Sequence, residues 1–215
     1  MGATCVFCGG ALASSELGRH VCPKCGAPQP VSPGEDYFSL LGAPRGFRQD
    51  PGELERRFYD ISRTLHPDRF AAGGDAKWKV ISVERMSAVN RAYQTLTKAD
   101  RLREYLLELE GVTKAGDEKG KTAIPAELAE EWFELQDAVM EDPANAVAKL
   151  GTFERDLRKK SGDLAARISG FEREYDEGTV DPIGVLRKIE KLVLDGQYLK
   201  SMERDLLKLK TRLGI

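Results

Sequence analysis

The chain has 215 residues, 41% of them hydrophobic and 32% charged, and its formal net charge is −2. This length and apolar content allow one sizeable core or two modest ones. A charge so close to zero gives no electrostatic basis for binding nucleic acid or a membrane surface, and no run approaches the roughly 20 apolar residues that a membrane span needs. Because a cysteine pair begins at position 5, no room precedes it for a secretory or transit segment. We therefore expect a cytoplasmic protein without a membrane partner; the alternative is an organelle protein from which a targeting segment has been removed.

The amino-terminal region carries all four cysteines in two pairs. Each pair has the spacing C-x2-C and thirteen residues separate the pairs, which are Cys5, Cys8, Cys22 and Cys25. Two-residue spacing lets both thiolates of a pair face one ion, and Gly9 and Gly26 directly after the pairs allow the turns. The pattern predicts one structural zinc ion per chain, bound by four thiolates that leave no open position for catalysis. Two disulfides, a redox-active cysteine pair and an iron site are the alternatives.

The cysteine region, residues 1–30, is too short to fold by apolar burial alone. Structural zinc would supply about 10–16 kcal/mol, which is enough to fold it. His20 stands near the second pair, but four cysteines already complete the site, so we expect His20 to be a solvated loop residue. A nucleic-acid role is disfavoured because Arg19 and Lys24 are the only permanent cations in residues 1–36, and phosphate binding requires more positive charge.

An amphipathic helix is predicted to end at the tripeptide His66-Pro67-Asp68. Four apolar residues recur at spacings of four, three and four, which marks one buried face; they are Leu54, Phe58, Ile61 and Leu65. Pro67 lacks an amide proton and disfavours helical geometry at His66, so the helix must stop there. Taken alone, the tripeptide is an ordinary break between two helices, with Asp68 as the cap of the next segment.

The surface of this helix favours a second interpretation. Arg56 and Arg63 fall almost opposite the apolar face, with Asp60 between them. A cationic face that leads into an exposed turn is typical of a surface that docks another macromolecule, and it is a poor site for a small substrate.

Segments on both sides of the tripeptide extend the pattern. Upstream, residues 37–42 form a short apolar run closed by glycine. Downstream, helical spacing recurs over residues 86–96, at Met86, Val89, Tyr93 and Leu96. A further helical stretch follows over residues 101–107. This order of segments resembles the J-domain of chaperone partners, and the match covers residues 36–110.

The remaining chain reads as helical after a polar stretch with three glycines, residues 111–123, which we interpret as a linker. One helix is predicted from Ala126 to Glu141 and a second from Pro143 to about Tyr175. A third opens at Asp181-Pro182, a cap followed by a first-turn proline. Three antiparallel helices with apolar seams make a small bundle.

Three stretches of the chain look like the iron–sulfur cluster co-chaperone family, the HscB type; they are residues 36–42, 65–70 and 105–111. Members pair a J-domain with a C-terminal three-helix bundle in an L shape, and some carry an N-terminal four-cysteine zinc module. The resemblance implies a mainly α chain with a zinc ribbon or knuckle, a J-domain, a linker and a scaffold-binding bundle at residues 1–30, 36–110, 111–123 and 124–215.

The resemblance also implies a function without chemistry on this chain. The J-domain would bind a DnaK/HscA-type chaperone in its ATP state and stimulate hydrolysis. Arg56 and Arg63 would dock the helix against an acidic groove. The trigger would be carried by His66, Pro67 and Asp68. The helix is less basic than in generic J-domains, which indicates a dedicated chaperone or weak docking.

The bundle would bind an iron–sulfur cluster scaffold protein and deliver it to the chaperone. Residues 128–137 correspond to the contact helix of the family, where Phe133, Glu134 and Asp137 keep the apolar and acidic characters of the contact positions. Tyr198 matches an aromatic position on the last helix.

Two departures leave other hypotheses open. Ala129 and Glu130 stand where larger apolar residues are usual, so the J-domain protein would serve a different client if the patch is rearranged. Trp132, Phe133 and Leu135 are equally compatible with a plain helical core. A third hypothesis, from another class, is a redox protein that uses the cysteine pairs, with the helices as a targeting arm.

Overall fold

A computed structural model describes residues 4–12, 19–70, 76–113 and 126–214. The chain divides into two compact units, Met1–Leu106 and Leu107–Ile215, called unit 1 and unit 2 below. Most of the predicted linker, residues 114–123, lies outside the described residues, and the four segment boundaries stay predictions. No helix in the described ranges is long and apolar enough to cross a membrane.

The described chain is mainly helical, as the sequence predicts. Its helices are α1 Tyr37–Leu41, α2 Pro51–Leu65, α3 Ala76–Leu96, α4 Ala99–Leu109, α5 Ala126–Glu141, α6 Pro143–Asp176 and α7 Pro182–Leu213. A short 3-10 turn, Pro67–Phe70, follows α2. Extended structure among the described residues is confined to two isolated antiparallel bridges, Thr4 with Ala11 and Val21 with Pro28.

Helix α2 begins and ends where its local chemistry requires. The carboxylate of Asp50 accepts hydrogen bonds from two backbone N–H groups of the first turn, at 2.8 and 3.1 Å, and Pro51 takes the first helical position. The helix ends at Leu65, because Pro67 forces His66 out of helical geometry. The predicted helix and its stop are therefore both present.

Apolar residues from all four helices form the core of unit 1. The fully buried members include Phe38, Leu41, Leu54, Ile61, Leu65, Val89, Leu96, Leu102 and Leu106. Phe58 is half-buried and stacks on Tyr93 with ring centroids 4.5 Å apart. Tyr105 stacks on Tyr37 at 4.3 Å and its hydroxyl accepts a hydrogen bond from the Tyr37 backbone N–H at 2.8 Å. These contacts fix both ends of the helical segment together.

Unit 2 is the helical bundle that the C-terminal periodicity predicts. A single cluster of buried residues joins α5, α6 and α7; it comprises Leu128, Leu135, Val139, Ala146, Leu150, Phe153, Leu157, Leu199, Met202 and Leu206. Asp181 precedes α7 as its N-cap, and its carboxylate accepts a hydrogen bond from the backbone N–H of Gly184 at 2.9 Å. Lys210 pairs with Glu154 at 2.8 Å and links the surfaces of α7 and α6.

Candidate metal centre and docking sites

The four cysteine sulfurs meet at one point of unit 1. All four lie within 4.8 Å of one another, with Cys5 Sγ 3.7 Å from Cys25 Sγ and Cys8 Sγ 3.8 Å from Cys22 Sγ. A tetrahedral ion with bonds of about 2.3 Å to sulfur requires sulfurs about 3.8 Å apart, whereas a disulfide requires about 2.0 Å. The arrangement fits one tetrahedral metal ion, and none of the four cysteines forms a disulfide.

Each cysteine pair lies on the same kind of turn. The backbone N–H of Gly9 donates to the Cys5 carbonyl at 3.0 Å, and that of Gly26 donates to the Cys22 carbonyl at 2.9 Å. Both glycines have positive φ, +65° and +75°, a conformation that L side chains rarely adopt. The two turns therefore bring their thiols to one site, as the predicted knuckles would.

A buried amide joins the two turns. The side chain of Gln29 donates from Nε2 to Cys5 Sγ at 3.3 Å and to the Ala27 carbonyl at 2.9 Å. Its Oε1 accepts from the Val6 backbone N–H at 3.2 Å. Donors aimed at a ligand sulfur orient it for the metal, as other outer hydrogen-bond partners do at metal sites. Sequence analysis missed Gln29, whose one signal is a lone polar residue between two prolines.

The Cys5 thiol is tuned toward its ligand form. Burial of the thiol works against ionisation. The backbone N–H groups of Cys8 and Phe7 and the neighbouring thiols outweigh this burial, so that the pKa of Cys5 is lowered to about 6. Because the thiolate is the species that binds metal, this shift favours the ligand form of Cys5. At Cys25 the backbone N–H of Ala27 works in the same direction, but burial and the three neighbouring thiols outweigh it and raise the pKa to about 12.

His20 is buried, and the prediction of a solvated loop histidine is wrong. Its Nδ1 accepts a hydrogen bond from Nε of Arg85 at 2.8 Å, and no part of the residue is exposed. Burial, together with the positive charges of Arg85 and Arg19, lowers the pKa of His20 to about 3. The partner stands 65 residues downstream on α3, so no local pattern around His20 could reveal it.

The predicted trigger, His66-Pro67-Asp68, lies on the surface of unit 1 at the end of α2. His66 and Asp68 are exposed and Pro67 is half-buried. Nδ1 of His66 accepts a hydrogen bond from the Asp68 backbone N–H at 3.3 Å and lies 3.5 Å from its carboxylate. The Asp68 side chain is 86% exposed. The three residues form a protruding turn that a partner can reach.

The arginines of α2 carry their own counter-charges. Arg56 pairs with Glu53 at 2.6 Å and with Asp60 at 3.2 Å, and Arg63 pairs with Asp60 at 2.8 Å. Hydrogen bonds from Arg56 and Arg57 lower the pKa of Glu53 to about 2. Helix α2 contains three acidic and three basic residues in all, so its outer face is compensated and is not a purely cationic surface.

The predicted scaffold-contact residues divide between two helices of unit 2. Glu134 and Asp137 are exposed on α5, and Phe133 is 63% exposed. Tyr198, on α7, is half-buried against the core. Met140 is 84% exposed and stands two helical turns beyond Phe133, on the same face. Sequence analysis missed Met140, although the spacing of seven was available to find it.

The opposite face of α5 belongs to the core. Leu135 is buried and Trp132 packs against Phe153 with ring centroids 5.6 Å apart. The plain-core alternative therefore holds for Trp132 and Leu135, and the exposed position of Phe133 leaves it available to a partner.

Comparison with known proteins places these features in one architecture. No model of a known protein family matches the sequence. The crystal structure of the human co-chaperone protein HscB is 26% identical, and the match covers 97% of this chain and 98% of that chain with a TM-score of 0.68. This chain has the architecture of an HscB-type co-chaperone. The chaperone HscB from Vibrio cholerae is also 26% identical, over 80% of this chain and 99% of that chain, with a TM-score of 0.46.

The likeness to human HscB confirms the resemblance and the mainly α fold predicted from sequence. A match over 97% of the chain extends beyond the helices and takes in the four-cysteine region. The chaperone and scaffold roles of single residues in this HscB-type chain stay predictions.

Proposed function

We propose that this chain is a non-enzymatic J-type co-chaperone of iron–sulfur cluster assembly. It stimulates ATP hydrolysis by a DnaK/HscA-type chaperone and delivers a cluster scaffold protein to it for cluster transfer. The observation that carries the proposal is the match to human HscB over nearly the whole of both chains. The exposed His66-Pro67-Asp68 turn supports it, because an interaction motif must be reachable.

The chaperone contact centres on the turn after α2. The Asp68 carboxylate protrudes into solvent, so it can take an arginine of the chaperone as a partner without giving up a buried contact. Arg56 and Arg63 contribute less to steering than isolated cations would, since each already pairs with a carboxylate of α2.

The chaperone half is tested by measuring ATP hydrolysis of a DnaK-type chaperone with the full chain added. We expect Asp68→Asn to remove stimulation by at least tenfold while the helical content stays unchanged. Asp137→Asn, an exposed aspartate of unit 2, is the matched control and retains stimulation in the absence of scaffold. Full stimulation by Asp68→Asn overturns the trigger assignment.

The scaffold contact centres on the exposed face of α5. Phe133 offers an apolar side chain to solvent on the same helix as the exposed Glu134 and Asp137, a combination that suits a partner with an apolar patch and nearby cations. Tyr198 contributes from α7 through the part of its ring that stays exposed.

Calorimetric titration of the full chain with a purified iron–sulfur scaffold protein tests this contact. Exposed aromatic anchors at interface centres typically contribute 2 kcal/mol or more, so a Phe133→Ala, Glu134→Ala double variant should weaken binding by more than about thirtyfold. Leu207→Ala is the matched control, because Leu207 is 65% exposed on α7 outside the predicted contact. If the double variant and Leu207→Ala lose the same amount of affinity for the scaffold protein, the assignment of the contact to α5 is wrong.

A second candidate is a J-domain co-chaperone with a different client. The observation that favours it is the exposed carboxylate of Glu130 on α5, where the family resemblance implies an apolar residue. A folded chain that stimulates the chaperone but binds no scaffold protein would make this candidate the better one.

For the metal centre we propose zinc, one ion per chain, held by Cys5, Cys8, Cys22 and Cys25. Four thiolates at tetrahedral spacing suit a structural zinc site and leave no position for substrate. When bound, the ion supplies cross-linking between the two turns and no reaction chemistry. Elemental analysis of the purified chain tests this: one zinc without visible absorption supports it, and stoichiometric iron with a visible band revives the redox alternative.

A further inference from the structure

Arg85 of α3 connects the helical part of unit 1 with the four-cysteine module, defined as residues 4–12 and 19–30. Its side chain is 1% exposed. The guanidinium donates to His20 Nδ1 at 2.8 Å, to the Pro30 carbonyl at 2.8 Å, and to the two carboxylate oxygens of Glu35 at 2.8 and 3.2 Å. A planar fork with fixed donors can satisfy such divergent acceptors, which a lysine cannot do.

The acceptors of Arg85 stand next to the metal ligands. His20 lies two residues before Cys22, and Pro30 directly follows Gln29, which donates to Cys5 Sγ. Arg85 thus contacts residues on both sides of the second cysteine pair, and this segment is joined to the first pair through the bond from Gln29 to Cys5 Sγ. A cluster of this kind keeps its geometry only while the module is folded, and folding of the module depends on the metal.

Helix α3 also fixes the end of α2. Ser82, one turn before Arg85 on α3, is fully buried, and its hydroxyl donates to the Leu65 carbonyl. The last carbonyls of a helix have no partner within the helix, so this bond satisfies one of them. Leu65 immediately precedes His66, and the position of the exposed turn therefore depends on α3.

An aromatic contact runs parallel to this polar connection. The Trp78 ring of α3 lies edge-on to Phe7 of the first cysteine turn, with centroids 5.8 Å apart. Trp78 also contacts Phe70, the last residue of the 3-10 turn, with ring centroids 6.4 Å apart. The module and the segment after Asp68 thus contact the same side chain.

We propose that Arg85 is a positioning residue through which metal binding by the four cysteines orders α3 and the 66–70 turn. In this arrangement the folded module holds the 66–70 turn in position. Without metal, the acceptors around Arg85 disperse and leave its charge partly unpaired in a buried position, which is strongly unfavourable. The inference rests on the proposed metal site and is independent of the chaperone and the client.

Hydrogen exchange of the intact wild-type chain with and without zinc is the first test. Removal of zinc should accelerate amide exchange in residues 76–96 and 66–70 by about tenfold or more. Amides of α6 in unit 2 serve as the internal control and should keep their rates. Unchanged rates in 76–96 after complete zinc removal overturn the inference, whereas absence of zinc binding refutes the metal proposal instead.

Variants separate positioning from simple stability. Arg85→Met with Glu35→Gln removes both members of the buried ion pair, so that no charge is left unpaired, and Arg91→Met is the control for an exposed arginine of the same helix. All proteins carry Trp132→Phe, which leaves Trp78 as the only tryptophan. Its fluorescence reports the thermal unfolding of unit 1 beside Phe7.

Zinc should raise the midpoint temperature of unfolding, followed by Trp78 fluorescence, by about 10 °C or more in the control. In the double variant it should raise that temperature by less than half as much. Cobalt substitution should give the same tetrathiolate spectrum in both, because all ligands remain. An equal zinc-induced rise in both proteins overturns the role of Arg85. If the double variant fails to fold, the exchange rates of the wild-type chain decide alone.

Discussion

The four-cysteine module and unit 2 are stabilised by opposite means. In unit 2 a continuous apolar cluster joins three helices, and the helical spacing of apolar residues predicts these helices. In the module the buried apolar residues among those described are few: they are Cys5, Cys22, Ala27 and Pro28. Its order depends on thiols, on Gln29 and on a buried arginine from another segment. Periodicity therefore describes one region well and the other poorly.

Metal removal should produce the largest difference between the two regions. Cys22→Ser deletes one ligand of a site worth about 10 kcal/mol or more, so the module should unfold while unit 2 stays folded. Limited proteolysis with mass spectrometry should find new cleavages before residue 36 and none within α6 or α7. Protection of the module in Cys22→Ser equal to that of the wild type would contradict a metal-dependent fold.

A cavity in the core of unit 2 should destabilise unit 2 independently of zinc. Leu150 is buried in the three-helix cluster, and Leu150→Ala should lower the free energy of unfolding of unit 2 by about 2–5 kcal/mol. The loss should be the same with and without zinc in urea unfolding. Leu207→Ala, at an exposed position of α7, should change stability by less than about 0.5 kcal/mol. If the effect of Leu150→Ala depended on zinc, the two regions would not be stabilised independently.

Gln29 offers a finer test within the module. Gln29→Ala removes the donor to Cys5 Sγ and the link to Val6, so zinc affinity should fall by about tenfold or more. Competition with a chromophoric chelator measures this. Gln94→Ala, exposed on α3, is the control and should leave affinity unchanged. Wild-type affinity in Gln29→Ala would show that the amide does not orient the sulfur.

The smallest expected effect is at the surface of unit 2. Lys210→Met removes the partner of Glu154, and a pair this exposed contributes less than about 1 kcal/mol. The hydrogen bond from Lys210 lowers the pKa of Glu154, so its contribution is present at neutral pH and is lost as pH falls below the ordinary glutamate range. The stability difference between wild type and variant should vanish on acidification. A difference that grows in acid would contradict this sign.

Sequence analysis found residues whose interaction partners are close in the sequence. It missed residues whose partners are far away in the sequence. The spacing of Cys5 and Cys8 identifies metal ligands because the partners are three residues apart. His20 and Arg85 are separated by 65 residues, and nothing local to either one distinguishes a buried pair from two solvated side chains. Such pairs become visible only when the fold brings them together.

Helix α5 shows the same limit of sequence analysis within a single segment: local sequence does not tell which residues the fold buries. Composition leaves Trp132 and Phe133 equivalent, since both are large and aromatic. The phase of the helix separates them, because Trp132 packs on Phe153 while Phe133 projects to solvent. Sequence analysis named the segment, whose scaffold contact stays a prediction, and the tertiary packing assigns each residue of that segment to the core or the surface.

The ion pairs of α2 have a kinetic consequence. Because Glu53 and Asp60 already neutralise Arg56 and Arg63, the helix projects little long-range field. In the proposed contact with an acidic groove, encounter should then proceed at unsteered rates of about 10⁵–10⁶ M⁻¹s⁻¹ and depend weakly on ionic strength. A partner carboxylate that pairs with Arg56 or Arg63 would have to displace Glu53 or Asp60 at short range.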